Sequence, residues 1–251
     1  MASKAKHSNW IVENLKTVFW ALLIAGVFRT VFFQPFWIPS GSMKQTLLIG
    51  DFLFVNKFAY GLRLPVTHTR ILETGTPQRG DVAVFRYPVD DRTDFIKRIV
   101  AVPGDVVAYR NKTLYINGQP QPVTPIGRYQ GVGAGAVENN DLHAIENLMG
   151  VEHEILIDER YPDYNPQCRT LADGPIMVPD GQYFAMGDNR DSSIDSRVPA
   201  STGFGVGYVP TVNLVGRAEV IFFSTNGRAR LWEVWKWPQA IRYGRLLDGI
   251  G

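Results

Sequence analysis

The feature that most limits how this chain can fold is an apolar run over residues 17–36, T-V-F-W-A-L-L-I-A-G-V-F-R-T-V-F-F-Q-P-F. A helix needs about 20 residues to cross the hydrocarbon core of a bilayer, so the run has membrane-spanning length. Arg29 lies toward its C-terminal end, where a long side chain can reach the interface, and Pro35 is a natural helix stop. The run therefore predicts one N-terminal transmembrane helix over residues 17–36.

A cleaved secretory signal peptide is the alternative interpretation of this run, because Lys4 and Lys6 precede a rather short apolar core. The residues that follow contain no small-residue cleavage site, so an uncleaved anchor is favoured. Lysines beside a span favour the cytoplasmic side, and Lys4, Lys6 and Lys16 place residues 1–16 there as a tail. Residues 37–251 are then expected on the extracytoplasmic side.

Beyond the anchor, the chain consists of short segments rich in Val, Ile, Phe and Tyr that are separated by Gly, Pro and Asp. This pattern is typical of strands and turns, and Asn117-Gly118 is a strong signal for a two-residue hairpin. We predict a mainly β fold built on an antiparallel sheet. Strands are expected at residues 52–56, 81–87, 95–102, 106–109, 114–116, 154–157, 182–186 and 213–223.

Residues 118–165 have the weakest strand pattern and are predicted to form a β-rich excursion, an inserted subdomain. Within this excursion, residues 141–149 are interpreted as one short helix capped by Asp141. The glycine-rich stretch at residues 131–135 lacks the Lys and Ser/Thr of a phosphate-binding loop. We therefore interpret that stretch as a plain loop.

Composition disfavours several classes of function. A formal net charge of +2 with no basic tract argues against a nucleic-acid partner. The single cysteine, Cys168, cannot form an internal disulfide, and no neighbouring His or Cys indicates a metal site. Three tryptophans near the C-terminus, Trp232, Trp235 and Trp237, fit either core packing or docking on a lipid interface.

The first candidate catalytic residue is Ser42, which lies in a P-S-G-S turn just after the apolar run. A serine in such a turn is ordinarily only a turn residue. Its position also suggests a functional role, because even an extended chain keeps Ser42 within about 20 Å of residue 36, the end of the predicted anchor. A nucleophile at this place would lie near the membrane surface and would select membrane-tethered substrates.

The second candidate is Lys97, within D-F-I-K-R-I-V-A-V at residues 94–102. Strand alternation places Lys97 on one face with Phe95 and Ile99, and it places Arg98 on the other. A lysine among apolar side chains is either an edge residue that reaches solvent or a desolvated amine. A general base must be neutral, which for lysine at pH 7 means a pKa lowered from ~10.4 to about 7, and full burial can achieve this.

A polar segment at residues 187–197, G-D-N-R-D-S-S-I-D-S-R, directly follows an apolar strand. Its alternating Asp and Arg residues suit a cross-linked framework beside a site. Asp191, Ser193 and Asp195 imitate the start of a calcium loop, but Ser196 stands where that loop needs glycine. No metal site is predicted.

Together these motifs resemble the bacterial type I signal peptidases, membrane-bound serine proteases with a Ser/Lys dyad. The resemblance extends from the anchor to the C-terminus and rests on several motifs in a fixed order. They are S-G-S-M at residues 40–43 with T-L and G-D after it, G-D-V-A-V-F at 80–85, K-R-I-V-A-V-P-G-D at 97–105, and the segment 187–197. One departure is Gln45, where the family usually has proline.

The resemblance implies a role for each matching residue. Ser42 would be the nucleophile and Lys97 the general base, and Ser193 would orient the lysine. The Ser40 side chain and the Ser42 amide would form the oxyanion hole. Supporting residues would be Asp188, Arg190, Asp195 and Arg197. Candidates for shallow apolar walls that admit only small side chains are Phe36, Ile38, Met43, Leu47 and Ile96.

The implied activity is removal of signal peptides from exported preproteins after Ala-x-Ala-like sites, through an acyl-enzyme and without a cofactor. The expected partners are signal-peptide-bearing preproteins and membrane lipid, with the secretion translocon as a further candidate and no nucleic acid. The expected location is the bacterial inner membrane, crossed once, with a cytoplasmic N-terminus. The catalytic domain, residues 37–251, would lie on the periplasmic side.

Two alternatives stay open at this point. A Ser-His-Asp hydrolase would need a base among His68, His143 and His153, since His7 precedes the anchor, and the sequence lacks a G-x-S-x-G elbow. The alternative from another class is a membrane-anchored β-domain that binds partner proteins without catalysis.

Overall fold

A computed structural model describes residues 2–31, 33–63, 70–72, 74–131, 137–163, 171, 174–227, 229 and 232–251. The predictions for His68, for Cys168 and for most of the glycine-rich stretch lie outside these residues. The helices are α1 (Ala2–Val31) and α2 (Trp237–Ala240). The strands are β1 (Phe33–Trp37), β2 (Asp51–Asn56), β3 (Leu62–Arg63), β4 (Arg70–Leu72), β5 (Val82–Arg86), β6 (Asp94–Ala101), β7 (Val106–Arg110), β8 (Thr113–Ile116), β9 (Gln119–Pro120), β10 (Val123–Arg128), β11 (Leu142–Leu148), β12 (Val151–Ile157), β13 (Ile176–Met177), β14 (Gln182–Met186), β15 (Val209–Pro210), β16 (Leu214–Ser224) and β17 (Asp248–Gly249).

Helix α1 includes most of the predicted anchor, and its side chains at residues 10–23 are exposed. No helix in the described part of the chain is both long and apolar enough to cross a membrane, so the predicted transmembrane helix is not confirmed. The predicted C-terminal end at residue 36 is wrong, because the helix ends at Val31 and β1 follows. Residues of β1 pair with β2, where Gln34 lies opposite Val55. Pro35 fits there because β1 is an edge strand.

One large sheet dominates the structure, with strand order β1-β2-β16-β5-β6-β14-β15 and β17 added beside β16. Neighbouring strands in it run antiparallel. Smaller sheets are formed by β10-β11-β12, by β13-β7-β8-β9 and by β3-β4. The predicted mainly β, antiparallel fold is confirmed, and every predicted strand is present. The predicted hairpin is also confirmed, because Asn117 and Gly118 have φ of 53° and 78° between β8 and β9.

The structure corrects the predicted helix at residues 141–149, which is strand β11 in the middle of a three-stranded antiparallel sheet. The correct pattern has period two, because Ala144, Glu146 and Leu148 are buried while the residues between them are partly exposed. Asp141 is not a helix cap here; its carboxylate accepts a hydrogen bond from Arg160 at 3.3 Å. The alternation was not recognised in the sequence because Glu146, a charged residue, lies on the buried face.

The apolar core lies on both faces of the large sheet. One cluster includes Phe85, Ile99 and the partly buried Phe95, and a second contains Leu53 and Val84 with residues of the β1–β2 connection. A third cluster, built around Tyr109, Leu114 and Phe184, joins the large sheet to β7 and β8. Strand β6 runs between these clusters, so its side chains meet apolar groups on either face.

Candidate active site

Ser42 lies in the connection between β1 and β2, residues 38–50, which we call the nucleophile loop. The loop is closed at its base by hydrogen bonds from the Ile38 amide to the Asp51 carbonyl (2.9 Å) and from the Gly50 amide to the Ile38 carbonyl (3.0 Å). Its apolar side chains Ile38, Met43 and Leu47 are buried in the core. The loop therefore packs against the sheet and leaves Ser42 only 9% exposed.

Lys97 reaches Ser42 from strand β6. The Lys97 Nζ donates a hydrogen bond to Ser42 Oγ at 2.5 Å, and the lysine is 4% exposed. Nζ lies 5.8 Å from the centre of the Phe95 ring, on the apolar face that strand alternation predicts. The structure thus brings the predicted nucleophile and the predicted base into direct contact.

Burial lowers the pKa of Lys97 from 10.5 to about 8. The nearby carboxylates Asp195 and Asp188 oppose this effect, while the Arg197 guanidinium adds to it. A pKa near 8 leaves a useful fraction of neutral amine at slightly alkaline pH, which an exposed lysine lacks. The site can therefore transfer the Ser42 hydroxyl proton to the amine as the hydroxyl attacks an electrophile.

The other two predicted serines lie close to the dyad. Ser40 Oγ is 3.4 Å from Ser42 Oγ. Ser193 Oγ is buried without a hydrogen-bond partner among the described residues, and no bond joins it to Lys97. A Cβ on Gly187 would collide with the Ser193 side chain and with the Ser42 carbonyl oxygen, so only glycine permits this close packing. The oxyanion and lysine-orienting roles stay predictions.

The supporting residues form buried, two-point ion pairs. Asp188 accepts two hydrogen bonds from Arg98 (3.0 and 2.9 Å), and Asp195 accepts two from Arg197 (2.9 and 2.8 Å). Although burial raises the pKa values of both carboxyls, the arginines outweigh it and hold them below their usual range. Asp195 also accepts a hydrogen bond from the Gly187 amide at 3.0 Å. These pairs brace the segment beside the dyad with charges that stay ionised.

Arg190 pairs with a residue that sequence analysis missed, Glu146 of strand β11, through bonds of 2.8 and 2.5 Å. Burial raises the pKa of Glu146, but Arg190 and His153 together lower it to about 2. Arg98, which was predicted only to face away from Lys97, is likewise the buried partner of Asp188. A Glu at a buried position of an alternating strand indicates a buried ion pair. This signal was missed because residues 141–149 were predicted to be a helix.

Three further residues beside Ser42 were also missed. Asn189 donates from its backbone amide to the Ser42 carbonyl (3.1 Å) and from its side chain to the Gly41 carbonyl (3.1 Å). Lys44 donates to Glu138 at 2.6 Å, and both are buried. Asn189 lies in the motif already singled out, whereas no local pattern pairs Lys44 with a residue 94 positions away.

The predicted pocket residues cluster together, but they are not equally accessible. Ile38, Met43 and Leu47 are core residues without a free surface for a substrate side chain. Phe36 and Ile96 are only partly buried against the same cluster. The prediction of shallow apolar walls for substrate side chains therefore stays a proposal for Phe36 and Ile96 alone.

The alternative sites receive no support in the described part of the chain. Ser42 Oγ contacts Lys97 and Ser40 and no histidine. His143 lies 2.8 Å from Glu154, and His153 is buried 3.3 Å from Glu146. The carboxylates of the calcium-loop alternative bind different cations, because Asp191 pairs with Lys112 and Asp195 with Arg197.

Comparisons with known proteins identify the family of the chain. Residues 11–223 match the family model "Signal peptidase, peptidase S26". A signal peptidase I from Pseudomonas fluorescens is 45% identical over 85% of this chain and 73% of its own, and one from Pseudomonas aeruginosa is 43% identical with the same coverage.

A solved signal peptidase I from Enterococcus faecalis V583 is 26% identical, with a TM-score of 0.34, and covers 57% of this chain and 96% of its own. The family match and the identities confirm the resemblance that the sequence motifs carry. The chain therefore belongs to the signal peptidase family, and it is a hydrolase of the signal peptidase I type.

Proposed function

We propose that this chain removes signal peptides from exported preproteins after Ala-x-Ala-like sites, with Ser42 and Lys97 as a catalytic dyad. The observation that carries the proposal is the 2.5 Å hydrogen bond between Ser42 Oγ and a buried amine whose pKa is lowered to about 8. Family membership supports the reaction class, a serine protease that acts on signal peptides. No cofactor enters this chemistry.

Acylation begins when neutral Lys97 accepts the Ser42 hydroxyl proton and Oγ forms a bond to the scissile carbonyl carbon. The oxyanion accepts hydrogen bonds from the Ser40 hydroxyl and the Ser42 amide. The ammonium of Lys97 returns its proton to the leaving nitrogen as the C–N bond breaks, which leaves an acyl-enzyme on Ser42. Lys97 then takes a proton from water, whose oxygen attacks the ester and frees the acid and Ser42. Ser193 is proposed to orient Lys97 between these steps.

The substrate enters as an extended chain whose small side chains face shallow apolar walls. Phe36 and Ile96 are the proposed wall residues, since both are partly buried near the nucleophile loop. The framework of Asp188, Arg190, Asp195 and Arg197 keeps the dyad rigid during both steps.

The proposed setting is the bacterial inner membrane, with residues 1–16 in the cytoplasm and residues 37–251 on the periplasmic side. The support is the row of exposed side chains on α1 at residues 10–23, many of them large and apolar, which suits lipid better than water. Trp232 and Trp235 are 68% and 69% exposed, which fits docking on a lipid interface better than core packing. Membrane lipid and the secretion translocon are the proposed partners beside the preprotein.

The test is cleavage of a preprotein by the detergent-solubilised full chain, with the new N-terminus identified by mass spectrometry. Ser42→Ala and Lys97→Ala are each expected to lower kcat by about 10⁴-fold or more. The matched controls are Ser201→Ala and Lys236→Ala, which alter exposed residues away from the dyad. The dyad is wrong if Lys97→Ala stays active while His143→Ala or His153→Ala is inactive. An intact preprotein with the wild-type chain would instead favour the non-catalytic β-domain.

A further inference from the structure

Glu138 is a buried carboxylate of the excursion that meets the nucleophile loop from outside the large sheet. It lies between β10 and β11 and is 8% exposed. Its Oε2 accepts a hydrogen bond from Lys44 Nζ at 2.6 Å, and its Oε1 accepts one from Asn189 Nδ2 at 3.3 Å. One carboxylate thus joins two residues that flank Ser42 in space.

Asn189 transmits this contact to the backbone around the nucleophile. Its side-chain amide has two N–H donors, and they serve the Gly41 carbonyl (3.1 Å) and Glu138. Its backbone amide donates to the Ser42 carbonyl at 3.1 Å. The Glu138 carboxylate therefore fixes the orientation of the amide that holds the residue preceding Ser42.

Lys44 forms the second connection, two residues after Ser42. Its side chain is 3% exposed and turns back over Gly41, where an added Cβ would lie 2.8 Å from Lys44 Cε. A buried ammonium without a counter-ion is strongly unfavourable, so this position of Lys44 depends on Glu138. Loss of the carboxylate would let the lysine leave and would release the turn that presents the Ser42 hydroxyl.

Other polar contacts of the nucleophile loop hold a different part of it. Thr46 Oγ1 donates to Asp188 at 2.5 Å, Arg245 donates to the Thr46 carbonyl, and Arg242 donates to the Ile49 carbonyl. These contacts hold residues 46–49, the C-terminal part of the loop. Apart from the Lys97 bond to the Ser42 hydroxyl, the hydrogen bonds that reach Gly41, Ser42 and Lys44 from outside the loop come from Asn189 and Glu138.

We propose that Glu138 is a positioning residue, which holds Ser42 in line with Lys97 through Lys44 and Asn189. This inference rests on the proposed Ser42–Lys97 dyad. Glu138 touches neither reacting atom, so it acts on the rate through geometry. Because a small misplacement of a reacting group can cost up to about 100-fold in rate, Glu138→Gln is expected to lower kcat by about 10-fold with KM nearly unchanged.

The experiment compares Glu138→Gln, Lys44→Met and the charge-swapped variant Lys44→Glu with Glu138→Lys in preprotein cleavage by the full chain. Thermal unfolding and the rate of Ser42 acylation by a serine-directed covalent inhibitor are measured on the same samples. The matched control is Glu159→Gln, because Glu159 belongs to the same excursion but forms an exposed pair with Arg128. The control is expected to keep wild-type kcat and acylation rate.

A lowered kcat and acylation rate in both single variants, with partial recovery in the swapped variant, would support the proposal. Normal kcat in a folded Glu138 variant would overturn it. Loss of folding in Glu138→Gln together with normal kcat in Lys44→Met would also overturn it, since the carboxylate would then serve only the fold. Activity in Ser42→Ala or Lys97→Ala would instead contradict the dyad itself.

Discussion

Two buried lysines near Ser42 differ in what surrounds them. Lys97 and Lys44 are 4% and 3% exposed, so burial alone does not distinguish them. Lys97 donates to the Ser42 hydroxyl and forms no ion pair in the described part of the chain, whereas Lys44 donates to the Glu138 carboxylate. The two environments therefore assign opposite tasks to the same side chain.

The difference shows how the partner of a buried amine decides its chemistry. A buried amine that faces a hydroxyl keeps most of its desolvation penalty, so its pKa falls and the neutral base becomes available. A buried amine that faces a carboxylate forms an ion pair with it and ties two segments together. Lys97 is suited to proton transfer, and Lys44 is suited to holding the turn that carries Ser42.

The largest expected difference between the two lysines is in activity. Lys97→Ala removes the proposed base and is expected to lower kcat by about 10⁴-fold, because Ser42 would then have no group to accept its proton. Lys44→Met removes only a tie and is expected to lower kcat by about 10-fold. Steady-state preprotein cleavage measures both, and equal losses would contradict the division of roles.

The next difference is in stability, where Lys44→Met is expected to lower the free energy of unfolding by about 3 kcal/mol. The reason is that the variant leaves the Glu138 carboxylate buried without its counter-ion. Urea unfolding of the detergent-solubilised chain measures this change. Glu159→Gln is the control and is expected to change stability by less than about 1 kcal/mol, since its pair with Arg128 is half-exposed.

Lys97→Met is expected to change stability in the opposite direction from Lys44→Met. It should raise the free energy of unfolding by up to about 3 kcal/mol. The pKa of Lys97 is about 8 in the folded chain and 10.5 without burial, so the unfolded chain binds more protons between these values. Wild-type stability therefore rises with pH across that window. The gain from Lys97→Met is complete below pH 8 and disappears above about 10.5. A destabilised variant at pH 7 would show that Lys97 is not under desolvation strain.

The smallest expected difference is in the pH profile. The kcat/KM of the wild type is expected to rise with pH through a limb near pH 8, where Lys97 loses its proton. Lys44→Met should lower the plateau value of kcat/KM. It should leave the midpoint of the profile within about 0.5 pH unit of the wild-type midpoint, because Lys44 does not exchange protons with Ser42. Initial rates from pH 6 to 10 measure both quantities. A midpoint that shifts in Lys44→Met would contradict the assignment of the pH dependence to Lys97.

Much of the large sheet could be predicted from the sequence because strand patterns are local. The alternation placed Lys97, the predicted base, and Arg98 on opposite faces of the strand before either partner was known. In the excursion, by contrast, the strand pattern was not recognised, and β11 was predicted to be a helix. Glu146 and His143 gave β11 an appearance too polar for a strand, and only the buried partner Arg190 explains why a carboxylate lies there.

The sequence by itself determined the family, the order of the motifs, the Asn117-Gly118 hairpin and the identity of Ser42 and Lys97 as the residues to test. These depend on local sterics and on residue types at fixed spacing. The tertiary structure alone decided where α1 gives way to β1, which predicted wall residues are inaccessible, and which charges meet. Arg98 finds Asp188 across 90 positions and Lys44 finds Glu138 across 94. Burial and electrostatic pairing depend on groups that only folding brings together, and no local pattern encodes them.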